Sequence, residues 1–138
     1  MRIEDFNMLK IKAEKEIQFK NDIDSAMEMS SRIPNLYMKY LDIYTAEFND
    51  LKKLSYKMEK KYGELLEETK FNSTMVWKDK WELESQINRD TTYYDMKVEY
   101  AQKEYMVKYL EELLGNINRM GYSIKAFVDC KKMMFGLQ

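Results

Sequence analysis

From Tyr37 onward the apolar positions of the chain recur in alternating steps of four and three: Tyr37, Leu41, Tyr44, Phe48, Leu51, Ser55, Met58, Tyr62 and Leu65, with Ser55 the single polar member. That spacing holds one face of a helix and predicts a long amphipathic segment whose stripe packs on another apolar surface. A second helical pattern runs from about Thr91 to Met120 and resumes after Gly121 as far as Phe135. Its stripe begins with Tyr94, Val98, Ala101 and Tyr105 and continues through Met106, Leu110, Leu113, Ile117, Met120, Ile124 and Phe127, with Val107, Leu114 and Val128 alongside. A face this wide is buried on two sides, and a short chain offers few internal partners. Self-association through Met106, Leu110, Leu113, Leu114, Ile117, Met120, Ile124, Phe127 and Val128 is therefore expected.

The remaining segments read as shorter pieces. A first helix is predicted over about Ile3 to Lys20, and a short one from Asp24, whose carboxylate would cap it. Ser30, Ser31 and Arg32 end that piece, and Pro34 suits the first turn of the long helix that follows. Between Thr69 and Arg89 the period is lost. Both tryptophans, Trp77 and Trp81, fall there, in what reads as a connector holding one short helix. The whole predicts a single all-α domain over 1–138. Residues 1–70 form the N-terminal and central helices, 71–90 the connector, and 91–138 the oligomerisation helices.

Composition agrees and removes whole classes of function. Four glycines and one proline in 138 residues leave little punctuation, and no apolar run approaches the roughly 18 residues of a membrane span. No secretory leader is expected, because Glu4 and Asp5 stand where a leader carries positive charge. The lone Cys130 suits a reducing cytoplasm and is expected in the core. The chain has no histidine, hence no histidine general base and no Ser-His triad. Its glycines at 63, 115, 121 and 136 are too scattered to cradle a phosphate. Pairs such as Glu67-Glu68 and Glu111-Glu112 lack the Glu-x-x-His repeats of a di-iron bundle and read as solvated faces. No enzyme activity, cofactor or metal is expected.

With 23 basic and 24 acidic residues, any affinity for phosphates must come from local clustering. One cluster is pronounced: Lys52, Lys53, Lys57, Lys60 and Lys61 stand against the single acid Glu59, beside Tyr56 and Tyr62. Lysines three and four apart on one helix side repel one another by a few tenths of a kcal/mol per pair unless an anion lies across them. Lysines that track a backbone beside rings that stack on bases suit single-stranded nucleic acid. Lys52, Lys53, Tyr56, Lys57, Lys60, Lys61 and Tyr62 are the candidate DNA-binding residues. A weaker basic group, Arg119, Lys125, Lys131 and Lys132, lies near the C-terminus. A non-catalytic helical scaffold or assembly adaptor would show the same heptads and ignore DNA.

Three segments carry a family resemblance. The run Asn118-Arg119-Met120-Gly121-Tyr122-Ser123-Ile124-Lys125, followed by Asp129, Lys131 and Gly136, resembles the C-terminal signature of the UvsY family of T-even-like bacteriophages. Met1-Arg2-Ile3-Glu4-Asp5-Phe6 resembles the family's opening, and Arg32 to Leu41 resembles its Ile-Pro-x-Leu segment, notably in cyanophage versions. The resemblance implies an all-α, ring-shaped homo-hexamer or heptamer that binds single-stranded DNA in the cytoplasm of the infected bacterial host. It also implies that the ring helps displace the phage single-strand-binding protein and loads a UvsX-type, RecA-like recombinase during recombination, repair and replication. The family's basic motif falls late in the long central helix, at Lys57, Lys60 and Lys61. Where relatives continue with further basic residues, this chain turns acidic at Glu64, Glu67 and Glu68.

Overall fold

The computed structural model describes residues 1–18, 20, 22–72 and 80–136, with the backbone alone at 71, 72 and 80. Four helices follow in order: α1 (Ile3–Glu16), α2 (Ile23–Asn72), α3 (Lys80–Asn88) and α4 (Thr91–Met134). The all-α expectation holds for the described residues. Trp77 and the rest of 73–79 lie outside them, and the short helix expected in the connector is α3.

Three local expectations are corrected. The cap before α2 is Asp22 rather than Asp24: its carboxylate accepts from the Ser25 backbone N–H at 2.8 Å and from the Ser25 hydroxyl at 3.1 Å. Those two bonds and the nearby Lys20 hold the Asp22 carboxyl below its usual range. Pro34 lies inside α2 instead of opening a new helix. An internal proline removes a hydrogen bond and costs about 3 kcal/mol, and packing on both sides of it offsets the loss: Ala26 and Met29 before it are fully buried, and Leu36 after it is half-buried. Likewise α4 runs unbroken through Gly121, where the backbone passes close to the Ile33 side chain.

The chain divides into two compact units. One comprises Met1–Ala46 with Met106–Gln138, and the other is Glu47–Tyr105. In the first, Ala13 of α1, Tyr40 of α2 and Leu110, Leu113, Leu114 and Ile117 of α4 form the core. Phe6 is fully buried and meets Tyr109 edge-on, with ring centroids 5.4 Å apart. Glu16 ties α1 to α2 by accepting from Lys39 at 2.8 Å and from the Tyr40 hydroxyl at 3.3 Å. Partial burial works to raise the Glu16 carboxyl, and Lys39 outweighs it, so the net shift is downward. A second cluster joins Ala26 and Met29 to Ile124.

The second unit has its core at Leu65 of α2, Leu83 and Ile87 of α3, and Tyr93 of α4, with Met58, Tyr62 and Leu66 packed against it. Asp90 caps α4 by accepting from the Tyr93 backbone N–H at 2.9 Å. Lys97 donates to Asn88 across the α3–α4 corner at 2.7 Å.

As far as Leu54 the most buried line of α2 lies beside the expected stripe, whose last member, Leu65, is itself in the core. Tyr40, Glu47 and Leu54, seven apart, are buried, while Tyr37, Tyr44, Phe48, Leu51 and Met58 are half-buried flanks. A charged residue at its midpoint hid this line from the hydrophobic pattern. Cys130, expected in the core, is exposed.

Candidate nucleic-acid interface

α2 positions the basic cluster. A helix advances about 100° per residue, so the packed side of Leu54, Met58 and Leu65 leaves Lys53, Tyr56 and Lys60 on the opposite side, flanked by Lys52 and Lys57. Lys52, Lys53, Tyr56, Lys57 and Lys60 are all exposed, the Tyr56 ring by 68%. Among the described residues, Lys53, Lys57, Lys60 and Lys61 have no hydrogen-bond or ion-pair partner, and Lys52 sits 4.8 Å over its own helix's Phe48 ring. The face is a wet array of like charges at helical spacing, with Glu59 the single acid among them.

Two of the seven candidate residues stand apart. Lys61 is half-buried at the edge of the array. Tyr62 is half-buried and lies on the packed side, its ring tilted on Tyr93 at 6.0 Å. Past Lys61 the same helix presents exposed Glu64, Glu67 and Glu68, which close the basic stretch with negative charge. The weaker C-terminal group is dispersed. Arg119 donates to Asn116, Lys131 lies 5.6 Å over Phe127, and Lys125 and Lys132 border an open recess with Asp129.

Sequence reasoning missed one feature beside this face. Ser55, Met58, Glu59 and Tyr62 of α2, with Tyr93 and Tyr100 of α4, line an open recess of about 320 Å³. Two signals pointed to it: Ser55 as the break in the apolar stripe, and the seven-residue spacing of Tyr93 and Tyr100. Burial pushes the Tyr93 hydroxyl above its usual pKa, and Tyr62 adds to that.

The expected oligomerisation residues are largely occupied inside the chain. Met106, Leu110, Leu113, Leu114, Ile117 and Ile124 are buried within it, while Met120, Phe127 and Val128 are half-buried. α1 and the first part of α2 supply the internal cover that the sequence did not reveal. On the last turns of α4 a different stripe is exposed: Tyr122, Ala126, Cys130 and Met133, followed by Met134 and Phe135. No group of three or more metal-ligating side chains occurs among the described residues, and no described helix is long and apolar enough to cross a membrane.

The fold and the site define an all-helical protein whose candidate site is an open charged helix face rather than a cleft. The sequence model of the UvsY family, described as recombination, repair and ssDNA binding protein UvsY, matches residues 14–137. The chain belongs to the UvsY family, which is defined by recombination, repair and DNA binding rather than by a catalytic activity. The crystal structure of the recombination mediator protein UvsY of bacteriophage T4 superposes with a TM-score of 0.78 at 16% identity, covering 97% of this chain and 99% of that one. The two share a fold. No curated protein sequence matches the chain significantly.

Proposed function

We propose that this protein is a recombination mediator that binds single-stranded DNA through the lysine face of α2 and helps load a UvsX-type, RecA-like recombinase onto DNA covered by the phage single-strand-binding protein. The observation that carries the reading is the exposed array of Lys53, Lys57 and Lys60, without acidic partners among the described residues, in a member of this family. Lysines of this kind neutralise phosphates by releasing counterions, which is independent of base sequence and weakens with salt. Tyr56 stands among them as a stacking surface. Lysines beside an exposed tyrosine ring suit a phosphate backbone and stacked bases rather than the base edges of a duplex groove.

The working form is a ring of six or seven copies in the cytoplasm of the infected host. The exposed stripe of Tyr122, Cys130, Met133 and Phe135 joins Phe127 and Val128 as the surface on which copies meet, because large apolar side chains in this number on one helix end favour burial. Titration of labelled oligonucleotides at several salt concentrations tests the DNA reading. The expected result is preference for single over double strands and affinity falling as salt rises. Tighter binding to duplex would overturn it.

A further inference from the structure

The recess beside the lysine face has a composition that a phosphate site would not have. Its walls are three tyrosine rings and Met58, and its polar groups are the Ser55 hydroxyl, the tyrosine hydroxyls and the Glu59 carboxylate. At about 320 Å³ it falls at the small end of the roughly 300–1,000 Å³ typical of ligand pockets. It exists because Ser55 stands where the stripe elsewhere carries a large apolar side chain, so Tyr93 and Tyr100 of α4 face a gap on α2. Glu59 is the one acid among the five lysines, is exposed, and has no ion-pair partner among the described residues. Its carboxylate repels phosphate and accepts hydrogen bonds from amino groups.

We propose that the Ser55, Glu59, Tyr62, Tyr93 and Tyr100 recess receives an unpaired nucleobase of the bound strand and favours bases that offer an exocyclic amino group. The inference rests on the single-strand reading above. Helix geometry joins the two sites: stepping around α2 from the packed side, Tyr62 and Ser55 are followed by Glu59, then by Tyr56 and Lys52. A strand whose phosphates lie along Lys52, Lys53 and Lys60 has a base within reach of the lip that Glu59 forms. The rings supply stacking, which every base accepts, and the carboxylate supplies discrimination. Cytosine presents an N4 amino donor where thymine presents its O4 acceptor, and a carboxylate accepts from the first and repels the second.

The test compares oligo-dC with oligo-dT of equal length on the full chain, by fluorescence titration at one salt concentration, for the wild type and for Glu59→Gln and Tyr100→Leu. The wild type should prefer oligo-dC by about 2- to 10-fold, the equivalent of one net hydrogen bond. In Glu59→Gln the preference should collapse, because an amide both accepts from cytosine and donates to thymine. Tyr100→Leu keeps apolar volume and removes a ring, so it should weaken both oligonucleotides by roughly 5- to 150-fold. Circular dichroism verifies that each variant keeps its helices. Equal affinity for both oligonucleotides in the wild type, with Tyr100→Leu unchanged, would overturn the recess while leaving the lysine face standing. Failure of the wild type to bind either strand would overturn both readings.

Discussion

Lys103 of α4 donates to Glu47 of α2 at 3.0 Å, with the two side chains only 14% and 6% exposed. This ion pair sits on the buried line Tyr40, Glu47, Leu54, where an apolar residue would be expected. Asp50 stands 3.8 Å from the same ammonium. Burial works to lower the Lys103 pKa, but the hydrogen bond and charge of Glu47, with Asp50 behind them, more than reverse it and hold it above the usual lysine value.

Removing Glu47 leaves the Lys103 ammonium with the more distant and more exposed carboxylate of Asp50. Glu47→Ala should destabilise the protein by up to about 3 kcal/mol, because the mostly buried ammonium loses its hydrogen-bonded partner. Replacing both by apolar residues, as in Glu47→Leu with Lys103→Met, should cost far less than the two single changes together. Urea denaturation of the singles and the double checks this. Additive losses would mean that the pair is not coupled.

The shifted groups predict narrowing stability at both ends of the pH scale. Glu16 and Asp22 are held below their ordinary 4.5 and 3.8, so their contribution is complete above those values and is lost as pH falls through the lowered ones. Tyr40 and Tyr93 are raised, chiefly by burial, and Lys103 is raised by its acidic partners. Their contribution is complete below about pH 10 and is lost as pH climbs through the raised values. Thermal melts from pH 3 to 11 should show a plateau between these limits. A melting temperature that rises continuously from pH 9 to 11 would contradict the assignment.

Gly63 is a helical glycine with nothing within 4 Å of the position its Cβ would take. Gly63→Ala should stabilise the protein by up to about 1 kcal/mol, since alanine is the better helix former and restricts the unfolded chain. Differential scanning calorimetry should register a rise of about 3 to 6 °C. A fall would show that the site is more crowded than its geometry implies.

How far the sequence carried the fold can be judged from particular residues. The two long helices were legible because their apolar periods persist over many turns, and the lysine face because like charges at helical spacing share a side. Pro34 misled because propensity is local and the packing of Ala26, Met29 and Leu36 is not. Glu47 misled because a charge at a core position looks like surface until its partner, 56 residues away, is known. The internal cover of the wide α4 face is not legible in the sequence, because nothing local marks Phe6, Ala13 or Tyr40 as its partners. The recess has only two faint marks in the sequence, Ser55 in the stripe and the spacing of Tyr93 and Tyr100, because these residues and Glu59 come to line one space only in the folded chain.

The exposed end of α4 predicts its own outcome. Replacing Met133 and Phe135 by Glu should reduce the assembly toward monomers in analytical ultracentrifugation while far-ultraviolet circular dichroism stays unchanged, since both residues are exposed within the single chain. Retention of the full assembly would move the contact elsewhere.

The central claim is that the α2 lysine face neutralises phosphates of single-stranded DNA, and the salt dependence of oligonucleotide affinity tests it most directly. If about four phosphates are covered per subunit, the log-log slope per subunit should be on the order of −3, from roughly −0.7 per phosphate. Replacing Lys57, Lys60 and Lys61 together by Ala should make that slope shallower by about 2 while the helices and the assembly persist. Stability should hold or rise slightly, because alanine is the better helix former and like-charge repulsion is relieved. A triple variant that binds with unchanged affinity and unchanged slope would contradict the account and leave this face as solvated surface only.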